Sequence, residues 1–254
     1  MISDKYWVYF VGAGPGDPDL ITVKGRKCIE RADLVLYAGS LVPKELVACA
    51  GADAKVVDSS SMTLEETHAM MTETIRSGGT VARVHTGDPS LYGAVKEQMV
   101  LLDRGGVNYE IIPGVTVAFA AAAAARVSFT LPEKVQSLIF TRLEGRTPVP
   151  DKERLRELAR HNTSLAIYLS STNPEGVARE LIEGGYSEDT PVVVAYRVGW
   201  PDEMILPTSI ANLAETVKDA GIRQQAVFLI LPGQQDDPHF SRLYSPEFSH
   251  GCRE

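Results

Sequence analysis

Cysteine is scarce in this 254-residue sequence, and Cys28, Cys49 and Cys252 neither show C-x-x-C spacing nor make an even number. That excludes a disulfide framework or a zinc knuckle and suits a reducing compartment, so the cytoplasm is the expected location. The five histidines are scattered, with no H-E-x-x-H and no carboxylate–histidine cluster, so no metal site is expected. No apolar run approaches the length that spans a bilayer. The opening Met1-Ile2-Ser3-Asp4-Lys5 has neither the basic region nor the apolar core of a signal peptide, so no membrane association is expected. Positive charge is in deficit: 25 Lys and Arg against 33 Asp and Glu leave a formal net charge of -8. A diffuse negative field argues against wrapping nucleic acid. Short-period repeats and low-complexity tracts are absent as well.

What remains is an ordinary globular composition, 44% hydrophobic and 23% charged, with enough chain for two modest domains. Residues 7–11 form a β-rich run that ends in Gly12-Ala13-Gly14-Pro15-Gly16-Asp17-Pro18, the chemistry of a strand entering a turn. Helical patterns follow at 20–31, 63–76 and 90–104, alternating with strand patterns at 34–37, 55–58, 80–84 and 109–112. Thr63 with Glu66 is a capping-box signal, and Gly78-Gly79 stops the helix it opens. Strands alternating with helices predict a mostly parallel sheet covered on both faces. The second half repeats the theme. An alanine-rich helix at 116–125 precedes strands at 137–141, 164–169, 192–196 and 226–231, with helices at 151–160, 173–183 and 209–220. Asn173-Pro174 joins a good cap to a first-turn proline. The expected domains are residues 1–114 and 115–254, the second ending in a polar, partly mobile tail from Gln234.

The first glycine loop is not G-x-G-x-x-G. Pro15 removes a backbone donor, and Asp17 and Asp19 place negative charge where a pyrophosphate would sit. A nucleoside ligand without phosphates remains compatible, although the loop alone reads as a tight turn. The second loop, His85-Thr86-Gly87-Asp88-Pro89-Ser90-Leu91-Tyr92-Gly93, leaves the carboxyl end of a strand, where open α/β sheets bind ligands. Gly87 admits close approach of a ligand, and Asp88 either contacts it or caps the following helix. His85 reads as a satisfied, partly buried imidazole rather than a base. In Thr141-Arg142-Leu143-Glu144-Gly145-Arg146 the two arginines are either carboxylate contacts or a solvated salt-bridge cluster. Lys24 and Arg26 are either anion contacts or a solvated helix face. Trp200 packs a ligand or fills a domain seam, the seam being the safer reading. Met70 and Met71 read as core.

Taken in order, Val11-Gly12-Ala13-Gly14-Pro15-Gly16-Asp17-Pro18-Asp19-Leu20-Ile21-Thr22, Ala32-Asp33-Leu34-Val35-Leu36-Tyr37, the second loop and Ile112-Pro113-Gly114-Val115-Thr116 resemble the motifs of the tetrapyrrole methylases. Tyr37-Ala38-Gly39-Ser40-Leu41-Val42, residues 141–150, Leu169-Ser170-Ser171-Thr172 and Trp200-Pro201-Asp202-Glu203 resemble the branch that methylates precorrin-4 at ring carbon 11. The second loop resembles its cobalt-dependent form more than its oxygen-dependent one.

The resemblance implies an S-adenosylmethionine-dependent C-methyltransferase acting on a tetrapyrrole and releasing S-adenosylhomocysteine. It further implies a homodimer whose chains each have two α/β domains with a donor-binding cleft between them. Carried over residue by residue, it implies donor contacts at Pro15, Thr86, Gly87, Asp88, Leu91, Thr116, Val117, Leu169 and, by a looser match, Val198. The many acetate and propionate groups of such a substrate make Arg142 and Arg146, then Lys24 and Arg26, the expected carboxylate contacts. Uroporphyrinogen methylases of the family carry an aspartate, suggested as proton acceptor, just after the Ala-Asp…Tyr strand. Here the stretch reads Ala38-Gly39-Ser40, so that base does not transfer and no catalytic residue is assigned. Catalysis is expected to come from holding donor and ring in contact geometry. The rivals are the metal-free precorrin-4 reaction, another methylase of the same fold, and a non-catalytic nucleotide-binding module.

Overall fold

The computed structural model describes residues 8–234, so the expected mobile tail beyond Gln234, and Cys252, lie outside the described residues. The chain divides into two compact units. One reaches Ala120 and takes in Val198–Pro201; the other comprises Ala121–Arg197 and the chain from Asp202.

The first unit is built on five parallel strands: β1 (Val8–Gly12), β2 (Leu34–Tyr37), β3 (Lys55–Asp58), β4 (Val81–His85) and β5 (Tyr109–Ile112), in the order β3-β2-β4-β1-β5. Side chains alternate across a strand, so each face collects every second residue. Tyr9, Val11, Val35, Tyr37, Ala82 and Val84 pack on one face with Cys28 and Ile29 of helix α1 (Val23–Arg31). Val8, Phe10, Leu34, Leu36 and Val81 pack on the other with Met71 of α3 (Leu64–Arg76) and Val95 and Leu102 of α4 (Val95–Arg104). A short helix α2 (Lys44–Val47) lies between β2 and β3. The sheet is therefore parallel and covered on both faces, as the sequence pattern predicts. Burying a large side chain such as Phe10 stabilises the fold by roughly 1.5–3 kcal/mol.

Local chemistry sets the helix ends. Thr63 and Glu66 form the reciprocal capping box at the start of α3. α1 begins later than the sequence pattern suggests, because Pro18–Leu20 is a separate 3-10 turn and Thr22 caps the helix through Gly25 N. α4 begins at Val95 instead of residue 90, because Tyr92 (φ 56°) and Ala94 (φ 48°) are left-handed. Ala94 is its N-cap residue and makes no side-chain cap.

The second unit departs from the expected parallel arrangement. Its strands β6 (Leu138–Arg142), β7 (Ser164–Tyr168), β8 (Pro191–Tyr196), β9 (Met204–Ser209) and β10 (Ala226–Ile230) order as β6-β7-β10-β8-β9. Only β6–β7 is parallel; the other three pairings are antiparallel. The connection from β8 to β9, residues 197–203, is too short for a crossover helix and so joins antiparallel neighbours. β9 is absent from the sequence reading because Pro207 interrupts its pattern, and it lies at the sheet edge, where a strand tolerates proline.

Helices α6 (Leu155–Ala159), α7 (Pro174–Glu183) and α8 (Leu213–Asp219) supply Leu155, Ala159, Val177, Leu181, Leu213 and Val217 to one core with Leu165, Ile167, Val194 and Phe228. Asn173 caps α7 through Gly176 N, as its place before Pro174 predicts. The alanine-rich helix is α5 (Val117–Ala125). No helix among the described residues is long and apolar enough to cross a membrane.

Candidate functional site

Because all five strands of the first sheet run the same way, the loops after β1, β4 and β5 emerge at one edge. β1 and β4 are neighbours, yet β1 is followed by β2 beyond β4, whereas β4 is followed by β5 beyond β1. Connections that leave in opposite directions open a crevice at the carboxyl ends of the two strands, the usual ligand position in open α/β sheets.

Three glycines close the bottom of that crevice. A Cβ on Gly114 would lie 2.1 Å from the Gly87 carbonyl oxygen and 2.7 Å from Gly12 Cα, and a Cβ on Gly12 would lie 2.7 Å from the same oxygen. No side chain fits where backbone meets backbone so closely. Ala13 N donates to the His85 carbonyl at 2.7 Å, while Gly14 and Gly87 exchange both backbone bonds, at 3.2 and 2.8 Å. Gly14 (φ 81°) and Gly87 (φ 60°) both need the left-handed backbone that glycine adopts without steric cost.

Asp88 locks the second loop to the third. Its Oδ2 accepts from Gly114 N at 2.9 Å and its Oδ1 from Ser90 N at 2.8 Å. It caps a turn, because α4 has not yet begun at that point. Thr86, Gly87 and Leu91 flank it, with Leu91 N bonded to the Asp88 carbonyl at 3.2 Å. Thr116 precedes α5, and its Cα lies 3.8 Å from the position of a Cβ on Gly87. Val117 is the first residue of α5. Pro15, Thr86, Gly87, Asp88, Leu91, Thr116 and Val117 therefore share one edge of the first unit.

Pyrophosphate chemistry is missing from this edge. Asp17 accepts from Asp19 N at 2.9 Å, so two carboxylates sit in the first turn beyond Pro15, and Pro15 has no N–H to offer. Both features suit a ligand without phosphates.

Trp200, placed by sequence reasoning at a seam or a ligand, lies on the first loop. Its Nε1 donates to the Pro15 carbonyl at 3.3 Å, and a Cβ on Gly16 would lie 2.4 Å from Trp200 Cδ1. Val198 is buried, and its carbonyl also faces Gly16. In the second unit, Leu169 is 69% exposed with φ 53°, a left-handed backbone that costs a branched side chain of this kind about 1 kcal/mol or more.

His85 is more buried than the sequence suggests and is not fully satisfied: its Nε2 has no partner among the described residues. Burial, with the nearby Arg83 cation, pushes the imidazole down to about 3, so it is neutral near pH 7. Arg83 itself is buried among neutral acceptors, Gln98 Oε1 at 3.1 Å, the Leu36 carbonyl at 3.2 Å and Ser59 Oγ at 2.8 Å. Burial lowers it to about 10, which leaves it charged near neutrality.

The expected carboxylate contacts separate into engaged and open groups. Lys24 is paired with Glu110, and Arg26 with Glu30 at 2.8 Å. Arg142 donates to the carbonyls of Thr147 at 3.1 Å and Pro148 at 2.7 Å, closing its own loop. Arg146 is exposed at the tip of that loop and has no ion pair or hydrogen bond among the described residues. One carboxylate escaped the sequence reading: Asp58, at the end of β3, accepts from Gly39 N at 3.0 Å and Ser60 N at 2.9 Å. It thereby brings negative charge against the Ala38-Gly39-Ser40 stretch, which has none of its own. Those hydrogen bonds, the one from Ser60 foremost, hold its carboxyl below the usual range.

A sequence profile of the family described as Tetrapyrrole (Corrin/Porphyrin) Methylases matches residues 7–214. The chain belongs to this family. Membership makes it a methyltransferase, as its motifs imply. A cobalt-precorrin-4 C(11)-methyltransferase from Priestia megaterium is 51% identical to this tetrapyrrole methylase over 252 residues, covering 97% of each chain. The X-ray structure of a cobalt-precorrin-4 methyltransferase matches with a TM-score of 0.87 and 53% identity, over 88% of this chain and 94% of that one. A uroporphyrin-III C-methyltransferase from Thermus thermophilus, solved in complex with S-adenyl homocysteine, matches with a TM-score of 0.73 and 27% identity, over 89% of this chain and 92% of the other. The expected two-part α/β fold of the family is therefore the fold observed.

Proposed function

We propose that this methyltransferase moves the methyl group of S-adenosylmethionine to ring carbon 11 of cobalt-precorrin-4, releasing S-adenosylhomocysteine, on the way to cobalamin. The near-full-length similarity to enzymes named for that substrate supports the choice of ring and position. The observation that carries the donor assignment is the edge where Gly12, Gly87 and Gly114 meet backbone to backbone beside a phosphate-hostile turn.

The donor supplies an activated methyl group on a sulfonium whose positive charge disappears during transfer. The chain's part is to hold and orient. Gly87 and Thr116 bring backbone together at this edge, Thr116 Cα lying 3.8 Å from the position of a Cβ on Gly87, and Gly87 keeps the left-handed φ of 60° that glycine adopts without steric cost. Asp88 fixes the distance between the two loops that carry them and adds negative charge suited to a cationic ligand. The inner part of the first loop, from Gly12 to Gly16, is buried, and a drier environment favours loss of charge on sulfur. Holding donor and acceptor carbon in contact geometry is worth about 7–11 kcal/mol in well-oriented systems, so positioning alone supplies much of the rate. Val198, buried with its carbonyl toward Gly16, is a further proposed donor contact on this edge, and Leu169 is proposed as one on the family resemblance alone. Arg146 is the proposed contact for a substrate carboxylate. Arg142 shapes the loop that presents it, while Lys24 and Arg26 are held by glutamates. A homodimer in the cytoplasm belongs to the same reading, and sedimentation equilibrium measures the association.

Calorimetric titration tests the donor assignment. Saturable binding of S-adenosylhomocysteine, with no binding of ATP or NAD at the same concentrations, is expected. Tight binding of ATP or NAD with none of S-adenosylhomocysteine overturns it in favour of a nucleotide-binding module.

A further inference from the structure

We propose that Trp200 is a positioning residue for the methyl donor: by holding the Pro15 carbonyl and covering Gly16, it fixes the first loop in its receiving shape. This rests on the donor reading above and goes beyond the contacts that reading assigns.

The first loop cannot fix itself. From Gly12 to Gly14 it is tied to the β4 loop by three backbone bonds, and at Asp17 it enters a capped turn. Between them lie Pro15 and Gly16. Proline lacks an N–H, leaving its carbonyl as its backbone handle. That carbonyl accepts one hydrogen bond among the described residues, from Trp200 Nε1, across a sequence separation of 185.

The packing is reciprocal. A Cβ on Gly16 would meet Trp200 Cδ1 at 2.4 Å, Trp200 Nε1 at 2.6 Å and the Val198 carbonyl at 2.7 Å. A Cβ on Gly199, itself left-handed at φ 79°, would meet Asp17 N at 2.5 Å. Two glycines, one in each segment, thus remove the side chains that would hold the segments apart. The four residues Val198–Pro201 accordingly cluster with the first unit, although the residues on either side of them do not. Those flanks are pinned to each other: Arg197 Nε donates to Asp202 Oδ1 at 2.7 Å, and Arg197 Nη1 to Gln225 Oε1 at 2.7 Å. The ion pair closes the base of the loop whose tip carries the indole.

A half-buried tryptophan merely filling space would need neither the carbonyl bond nor the two glycines. A residue that shapes a ligand loop needs both, because small displacements of such a loop are felt as lost affinity. The sequence contains two tryptophans, Trp7 and Trp200, so a Trp7→Phe background leaves Trp200 as the only indole.

The test combines calorimetry, fluorescence and kinetics with S-adenosylhomocysteine as the probe. Trp200→Phe retains a ring over Gly16 but not the donor, and losing one hydrogen bond of this kind predicts a roughly 3- to 10-fold rise in Kd. Trp200→Ala removes ring and donor, for a rise of about 10- to 100-fold. In steady-state assays KM for the methyl donor rises in the same order while kcat at saturating donor is retained. In Trp7→Phe protein, indole emission changes saturably with S-adenosylhomocysteine at the calorimetric Kd.

Unchanged affinity in both Trp200 variants overturns the proposal, even if their thermal stability falls. So does Trp200 emission that ignores a ligand the protein demonstrably binds. Failure of the wild-type protein to bind S-adenosylhomocysteine is a different result: it removes the donor reading and takes this inference with it. If Trp200→Ala does not fold, Trp200→Phe and the emission titration decide the matter.

Discussion

Asp88 Oδ2 accepts the backbone N–H of Gly114 at 2.9 Å, joining the loop after β4 to the loop after β5. The same carboxylate accepts from Ser90 N at 2.8 Å, so both of its oxygens serve the backbone. Asp88→Ala leaves a half-buried N–H without its partner and is expected to cost about 1–3 kcal/mol of stability in urea unfolding. Affinity for S-adenosylhomocysteine should fall in parallel. Asp88→Asn keeps an acceptor and should lie between wild type and alanine in both measurements.

Gly114 and Gly145 differ only in what surrounds them. A Cβ on Gly114 meets backbone at 2.1 Å, whereas a Cβ on Gly145 meets nothing within 4 Å. Gly114→Ala should therefore destabilise by about 1–3 kcal/mol or more, since the neighbours are main chain and cannot rotate away. Gly145→Ala should stay within about 0.5 kcal/mol, the usual range for a surface change. Equal unfolding midpoints for the two variants would sink the backbone-contact description of the crevice floor.

His85 makes stability fall as the solution is acidified. Its folded-state pKa, about 3, lies below the usual 6.5 of the unfolded chain, so between those values only the unfolded state binds the proton. The unfolded state is then favoured as pH drops, by up to about 1.4 kcal/mol per pH unit for this one group. Full stability from this source is present above pH ~6.5 and is lost progressively toward pH ~3. His85→Asn, which cannot titrate, should show a flatter stability profile between pH 7 and 4 than wild type. Superimposable slopes would contradict the neutral buried imidazole.

Arg146 and Arg142 should separate in kinetics although they occupy one loop. Arg146→Ala removes an open cation and should raise KM for the tetrapyrrole by about 10-fold with Kd for S-adenosylhomocysteine unchanged. Arg142→Ala frees the carbonyls of Thr147 and Pro148, so it should loosen the whole loop and increase its proteolytic cleavage. An unchanged KM in Arg146→Ala would remove it from the substrate contacts.

The residues most legible in sequence are those whose structure is decided within a few positions. Thr63 and Glu66 cap α3, and Asn173 caps α7, because a cap is a contact between residues three apart. The alternation of strand and helix likewise announced the parallel first sheet. Legibility fails where distant chain segments decide. Nothing near Pro15 announces that its carbonyl belongs to Trp200, and nothing near Gly39 announces Asp58. Gly16 and Gly199 are the available signal, each a glycine whose Cβ would strike the other segment, the Trp200 ring in one case and the Asp17 backbone in the other. β9 went unread because Pro207 is a strand breaker everywhere except at an edge, and edge position is a property of the finished sheet. In sequence Arg142 reads as a carboxylate contact or a member of a salt-bridge cluster, and its actual acceptors are invisible there because main-chain carbonyls carry no sequence signature.

The most direct measurement is a single turnover with S-adenosylmethionine carrying a ¹³C-methyl group and cobalt-precorrin-4, followed by NMR of the product. The account predicts one labelled methyl on ring carbon 11 and one equivalent of S-adenosylhomocysteine. Label on another ring carbon, transfer only to metal-free precorrin-4, or no transfer by protein that binds the donor would contradict it.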